Sequence, residues 1–105
     1  MPRPVKSRKV CHYPQIQAFH PISDNENKDS IVLWVEEYEA IRLIDKEGFS
    51  QEQCSAFMQI ARTTVQRIYE TARQKIATAL VEGRPLHIEG GDYTICDGKS
   101  LDCGH

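Results

Sequence analysis

Only Gln59, Ile60 and Ala61 separate two stretches of helical periodicity, and this short link constrains the fold more than any other feature of the chain. Before it, Ser50 reads as an N-cap with Gln53 completing a capping box, and Cys54, Phe57 and Met58 form one apolar stripe, so a helix is expected over Gln51–Met58. After it, Val65, Ile68, Tyr69, Ala72, Ile76, Ala79 and Leu80 share one stripe of a long helix from Arg62 to Glu82, closed by Gly83 and Pro85. Two helices joined this tightly must cross and pack. The small Ser55 is expected at their closest approach, with Val65 and Ile68 packing the long helix back onto the short one. This is the spacing of a helix-turn-helix, in which one helix lies in the DNA major groove and the other crosses the backbone.

The remaining segments read as supports. Ile31 to Val35 is β-branched and aromatic enough for a short strand; Tyr38, Ile41, Leu43 and Ile44 then follow helical spacing up to Gly48, giving a support helix. Residues 1–30 hold Pro2, Pro4, Pro14 and Pro21 and no helical period, so they read as an arm with extended pieces around Val10 to Tyr13 and Ile16 to Phe19, then a polar loop. Beyond Pro85, Leu86 with Ile88 and Tyr93 with Ile95 alternate on either side of Gly90-Gly91-Asp92, as in a small hairpin. The expected fold is mainly α: one domain with an arm and loop (1–30), a three-helix helix-turn-helix core (31–84), and a C-terminal β-hairpin with a Cys/His tail (85–105).

Charge distribution points to nucleic acid where net charge does not. The formal balance is −2, yet Arg3, Lys6, Arg8 and Lys9 crowd residues 1–9 without an acid, and residues 62–84 hold five Arg or Lys against Glu70 and Glu82. Residues 24–54 carry nine acids against Lys28, Arg42 and Lys46, so one face can turn to phosphates and the other to water or a partner. Arg62, Thr63, Thr64, Gln66 and Arg67 lie in the first two turns of the long helix, with Arg73 further along. Arginine can bridge guanine O6 and N7, glutamine can bridge adenine N6 and N7, and threonine can meet a phosphate or a thymine methyl. Double-stranded DNA is therefore the expected partner, with Arg3, Lys6, Arg8 and Lys9 on the backbone. One recognition helix reads few base pairs; the distal stripe of Ala72, Ile76, Ala79 and Leu80 with the Leu86 to Ile95 hairpin predicts a homodimer on an inverted repeat.

No apolar run reaches the ~18 residues of a membrane span, and the basic N-terminus is not followed by a secretory apolar core, so a cytoplasmic protein is expected. No phosphate loop, nucleophile elbow or paired acid and base is present, which argues against an enzyme; His20 and His87 read as surface or packing residues. No cofactor is required. Cys11, Cys96, Cys103 and His105 could close a tetrahedral site for zinc or another soft metal if the two chain ends meet, though no Cys-x-x-Cys knuckle is present. Cys54 falls on an apolar stripe and is expected to pack. The alternative is a protein-interaction module that uses the acidic middle segment, metal- or redox-responsive through its Cys and His residues.

Several ordered segments also carry a family resemblance: Met1-Pro2-Arg3-Pro4, Glu37-Tyr38-Glu39-Ala40-Ile41-Arg42-Leu43, Arg62-Thr63-Thr64-Val65-Gln66-Arg67-Ile68-Tyr69, Ala79-Leu80-Val81-Glu82-Gly83 and Ile88-Glu89-Gly90-Gly91. Over about residues 1 to 93 the chain resembles uncharacterised protein family 0251, also called domain of unknown function 134. That resemblance implies a DNA-binding protein whose helix-turn-helix is similar to the fourth region of sigma factors, and a transcription regulator is the role expected here. Four positions depart from the pattern: Gln59 and Ala61 stand where the family commonly has Gly then Ser, Glu36 where an aspartate usually caps the support helix, and Ser7 where a cysteine often lies.

Overall fold

The start and stop of each helix follow from local hydrogen bonding. The computed structural model of the chain describes residues 8–22 and 28–95. Helix α1 spans Val35–Ile41 and runs on through a π-helical turn over Arg42–Lys46; α2 spans Gln51–Met58 and α3 spans Arg62–Glu82. At the head of α2 the expected capping box forms: Ser50 Oγ accepts from the Gln53 N–H (3.0 Å), and Gln53 Oε1 accepts from the Ser50 N–H (2.8 Å). Gly83 ends α3 at φ 66°, a left-handed conformation that glycine adopts without a Cβ clash. Trp34 is the N-cap of α1, and its N–H donates to Glu37 Oε1 (2.8 Å).

Five short strands make two small sheets. Strands β1 (Arg8–Val10) and β5 (Tyr93–Ile95) pair in parallel. In the second sheet β4 (Leu86–Ile88) lies at the centre, antiparallel to β2 (Ala18–Phe19) and parallel to β3 (Ile31–Leu33). The expected hairpin over Leu86 to Ile95 is therefore corrected: both strands exist, but they pair with different partners. A lone hairpin of three-residue strands is marginal in water, whereas β4 gains a ladder on each edge. Gly90 and Gly91, at φ 71° and 103°, turn the chain out of β4 and onto the start of α1. There the Val35 N–H donates to the Gly90 carbonyl (3.1 Å), and the Asp92 N–H donates to Glu36 Oε1 (3.0 Å).

The N-terminal segment is not a free arm from Arg8 onward, since Val10 and Cys11 are buried. Successive side chains of an extended segment point to opposite faces, and these two enter different halves of the core. Cys11 joins Leu43, Cys54, Phe57, Met58 and Val65 between the end of α1, α2 and the start of α3. Val10 joins Leu33, Val35, Ala72 and Ile88 between the sheets, α1 and the middle of α3. Each fully buried aliphatic side chain of this kind contributes ~1.5–3 kcal/mol relative to exposure. One end of β1 thus ties together the cluster that orients α2 against α3 and the cluster that holds α3 to the sheets. No helix among the described residues is long and apolar enough to cross a membrane.

Candidate nucleic-acid interface

The link between α2 and α3 is held by its own backbone. Gln59 takes a left-handed conformation (φ 59°, ψ 45°), reversing the chain after α2. Ser55 then clamps the turn from both sides: its Oγ donates to the Ile60 carbonyl (2.5 Å), and its carbonyl accepts from the Ile60 N–H (3.2 Å). Ile60 packs against the cluster around Phe57 and Met58. Ala61 is the N-cap of α3 and supplies no side-chain bond to the helix.

With the turn fixed, α3 has a defined inner and outer face. Val65, Ile68, Ala72 and Ala79 are buried. Arg62, Thr63, Gln66 and Arg67 are exposed on the other side, while Thr64, expected with them, is half-buried at the margin. Among the described residues, Arg62, Thr63 and Arg67 make no side-chain hydrogen bond or ion pair, and Gln66 has only a 3.4 Å bond to Glu70 on the same exposed face. The first turn of α3 holds no acid, so the positive end of its dipole is not neutralised by a side chain. Arg73, one face further along, lies over the Tyr69 ring (5.4 Å) and 3.6 Å from Asp45, with its side chain 64% exposed. Asp45 also accepts from Tyr69 Oη (2.7 Å), and this bond raises the phenol above its ordinary pKa.

Of the four N-terminal cations, Arg3 and Lys6 lie outside the described residues. Lys9 reaches the side of α2, with its ammonium 5.0 Å from the centre of the Phe57 ring. Arg8 needs correction. Its guanidinium pairs with Asp92 (3.1 Å) across the β1–β5 sheet and its side chain is only 15% exposed, so it serves the fold and is not presented to a phosphate. Lys75 and Arg84 are also engaged internally: Lys75 pairs with Glu37 (2.7 Å) and covers Trp34, and Arg84 donates to the Asp29 carbonyl (2.8 Å).

Three acids of the middle segment lie inside the protein, whereas Asp29, Asp45, Glu47 and Glu52 are exposed. Glu36, Glu37 and Glu39 are all buried, and each fastens a different part of the chain to α1. Glu36 accepts from the Asp92 N–H; burial raises its carboxyl, and the backbone N–H groups of Glu36 and Asp92 oppose that rise. Glu37 caps α1 and holds Lys75 of α3. Glu39 takes Arg42 in a two-pronged bond (2.8 and 2.9 Å) and accepts the Cys11 N–H (2.9 Å), and this bonding stabilises the charged guanidinium further. The sequence reading of an outward acidic face is thereby overturned for these three. One signal was present: Glu36, Ala40 and Leu43 fall at i, i+4 and i+7, which places an acid on the apolar stripe of the support helix.

Cys11 and Cys54 are both buried thiols in one cluster. Burial pushes the Cys54 thiol up to about 12, so it stays protonated and unreactive at neutral pH. Cys96, Cys103 and His105, expected with Cys11 as metal ligands, lie outside the described residues. Among the described residues, no group of three or more His, Cys, Asp or Glu is placed to hold a metal ion. His20 and His87 face each other across β2 and β4 with ring centres 5.3 Å apart.

Comparison with known proteins gives the chain a family. A UPF0251 protein of Desulfitobacterium hafniense (strain Y51) is 52% identical over 105 residues, covering 99% of this chain and 84% of the relative. A UPF0251 protein of Caldicellulosiruptor saccharolyticus is 46% identical over 106 residues (99% and 75%), and one of Clostridium botulinum (strain Loch Maree / Type A3) is 46% identical over 107 residues (99% and 68%). No solved structure matches the chain significantly. The family model described as "Protein of unknown function DUF134" matches residues 1–96, and with relatives this similar over nearly the whole chain, the protein belongs to that family.

Proposed function

We propose that the protein is a sequence-preferring binder of double-stranded DNA, a cytoplasmic transcription regulator, in which α2, the turn at Gln59 and α3 act as a helix-turn-helix. The observation that carries this reading is the set Arg62, Thr63, Gln66 and Arg67: exposed, clustered at the start of α3, and with no bond to the rest of the fold beyond the long Gln66–Glu70 contact. Side chains that hold a fold together are engaged, as Arg8, Arg42 and Lys75 are here. Those left unengaged on a packed helix are free to meet a ligand. Their chemistry is that of base-edge and phosphate contact, and the acid-free first turn of α3 favours an approaching anion. Lys9 beside α2, and Arg73, add charge for the flanking backbone. The rival protein-interaction reading loses Glu36, Glu37 and Glu39, which face inward, and rests on the exposed Asp29, Asp45, Glu47 and Glu52.

The test is selection of a preferred duplex from random sequences, followed by fluorescence anisotropy. Gln66→Ala and Arg67→Ala should each lower affinity for the selected site by ~1–3 kcal/mol, about 5- to 150-fold, and relax preference at particular base pairs. Binding should weaken steeply with salt. A chain that retains no duplex even at low salt refutes the proposal.

A further inference from the structure

The far end of α3 leaves apolar surface uncovered. The fold itself covers Ala72 and Ala79, and Ile76 packs against the cluster of α1 and the strands, so much of the stripe assigned from sequence to a dimer is internal. Leu80 and Val81 are not: they are 80% and 82% exposed, and Phe19 on β2 is 56% exposed. Between α3 and the β2–β4 edge lies a groove of about 450 Å³ lined by Phe19, Pro21, Ile76, Ala79, Leu80 and Leu86.

We propose that a second copy of this chain occupies this groove, forming a two-fold dimer through the ends of the two α3 helices. Three observations select a second copy as the occupant. The exposed parts of Phe19, Leu80 and Val81 amount to roughly 400 Å² of apolar surface. A patch of that size would fill the apolar part of an interface of roughly 700 Å² per partner at the usual apolar share, which is within the standard size of a specific complex. Leu80 forms one wall of the groove and Val81 follows it on the outer surface, and an isologous contact needs such a pairing, because each copy must offer both the knob and the hole. The neighbouring hollow is lined by two cations, Lys28 and Arg84, and two acids, Asp29 and Glu82, so a copy turned onto itself meets no excess of like charge there.

The proposed function adds a geometric argument, and only the spacing rests on it. From Arg62 to Leu80 the helix rises roughly 27 Å. For two such helices meeting at their distal ends to set their first turns about 34 Å apart, one helical repeat of DNA, their axes must be inclined at roughly 80°.

Sedimentation equilibrium of the full chain without DNA tests the dimer independently of DNA binding. The parent should sediment at twice the mass of one chain at micromolar concentration, and Leu80→Glu at the mass of one, with an unchanged circular dichroism spectrum. Phe19→Ser should weaken the dimer at least tenfold and serves as the second variant if Leu80→Glu unfolds. A parent that remains monomeric at roughly 100 μM overturns the proposal, and so does a dimer that both folded variants leave intact. If the selected duplex is bound, Leu80→Glu should keep its affinity for a half-site and lose the added affinity for an inverted repeat. Loss of both would trace to α3 as reader; loss of the second alone supports the dimer.

Discussion

The turn between α2 and α3 can be improved by two substitutions that should leave its shape unchanged. Gln59 holds a left-handed conformation at φ 59°, which costs a residue with a Cβ ~1–2 kcal/mol. Glycine removes that cost but loses ~0.5–1 kcal/mol more chain entropy on folding, so Gln59→Gly should stabilise by ~0.5–1 kcal/mol. Ala61 is an N-cap without a side-chain acceptor, and Ala61→Ser supplies one for the N–H of Thr63 or Thr64, worth ~1 kcal/mol. The two sites share one turn and should not add fully. Together they should give ~1.5 kcal/mol, raising Tm by roughly 6–10 °C for a domain of this size. Thermal and urea unfolding followed by far-ultraviolet circular dichroism measure this. A neutral or destabilising Gln59→Gly would refute the left-handed turn. Ala61→Asp separates stability from function: it should stabilise as well as serine does, since an anion suits a helix N-terminus, yet weaken binding to every duplex by facing the phosphates. If serine and aspartate affect duplex affinity alike, the start of α3 does not lie on DNA.

Two further outcomes follow from the buried carboxylates and the glycine turn. Glu39→Ala should cost ~3–5 kcal/mol in urea unfolding, because it leaves Arg42 half of its partners and strands the buried Cys11 N–H; a loss below ~1 kcal/mol would mean that Glu39 is not internal. At Gly91, at φ 103°, a Cβ would overlap Glu36 Oε1, whereas at Gly90 it meets open space, so Gly91→Ala should cost ~3 kcal/mol and Gly90→Ala ~1 kcal/mol by the same assay; equal losses would contradict the packing of this turn on α1.

Helices α2 and α3 were legible to the residue because their limits are local. Ser50 and Gln53 cap within four residues, and Gly83 with Pro85 stops α3, whatever else the chain does. The conformation of Gln59 and the bare cap at Ala61 were likewise visible as departures from a Gly and Ser pattern. Pairing of the strands was not local. The alternation at Leu86 to Ile95 marks two strands, but it cannot say that β4 takes Ala18 and Phe19, from the other end of the chain, in place of Tyr93 to Ile95. Glu39 was misread for the same reason: Arg42, three residues on, is readable as a helical neighbour, while the Cys11 N–H that completes its shell enters from a distant strand. Charge patterning alone could not separate acids that face water from acids that close the core.

The three buried carboxylates explain why both ends of α3 can act in one frame. Glu39 ties the segment after β1 to α1 next to the cluster that orients α2 and the start of α3. Glu36 ties the turn before β5 to the same helix, and Glu37 holds Lys75, which stands between the polar first half of α3 and its apolar end. Motion of α3 relative to α1 must therefore break the Glu37–Lys75 pair, whose carboxylate is buried and whose ammonium is only a quarter exposed. The residues from Arg62 to Arg67 and the patch at Leu80 and Val81 are thus joined by a stiff rod. In the proposed two-fold reader of DNA, a rod of that kind would turn the inclination set at one end into the spacing needed at the other.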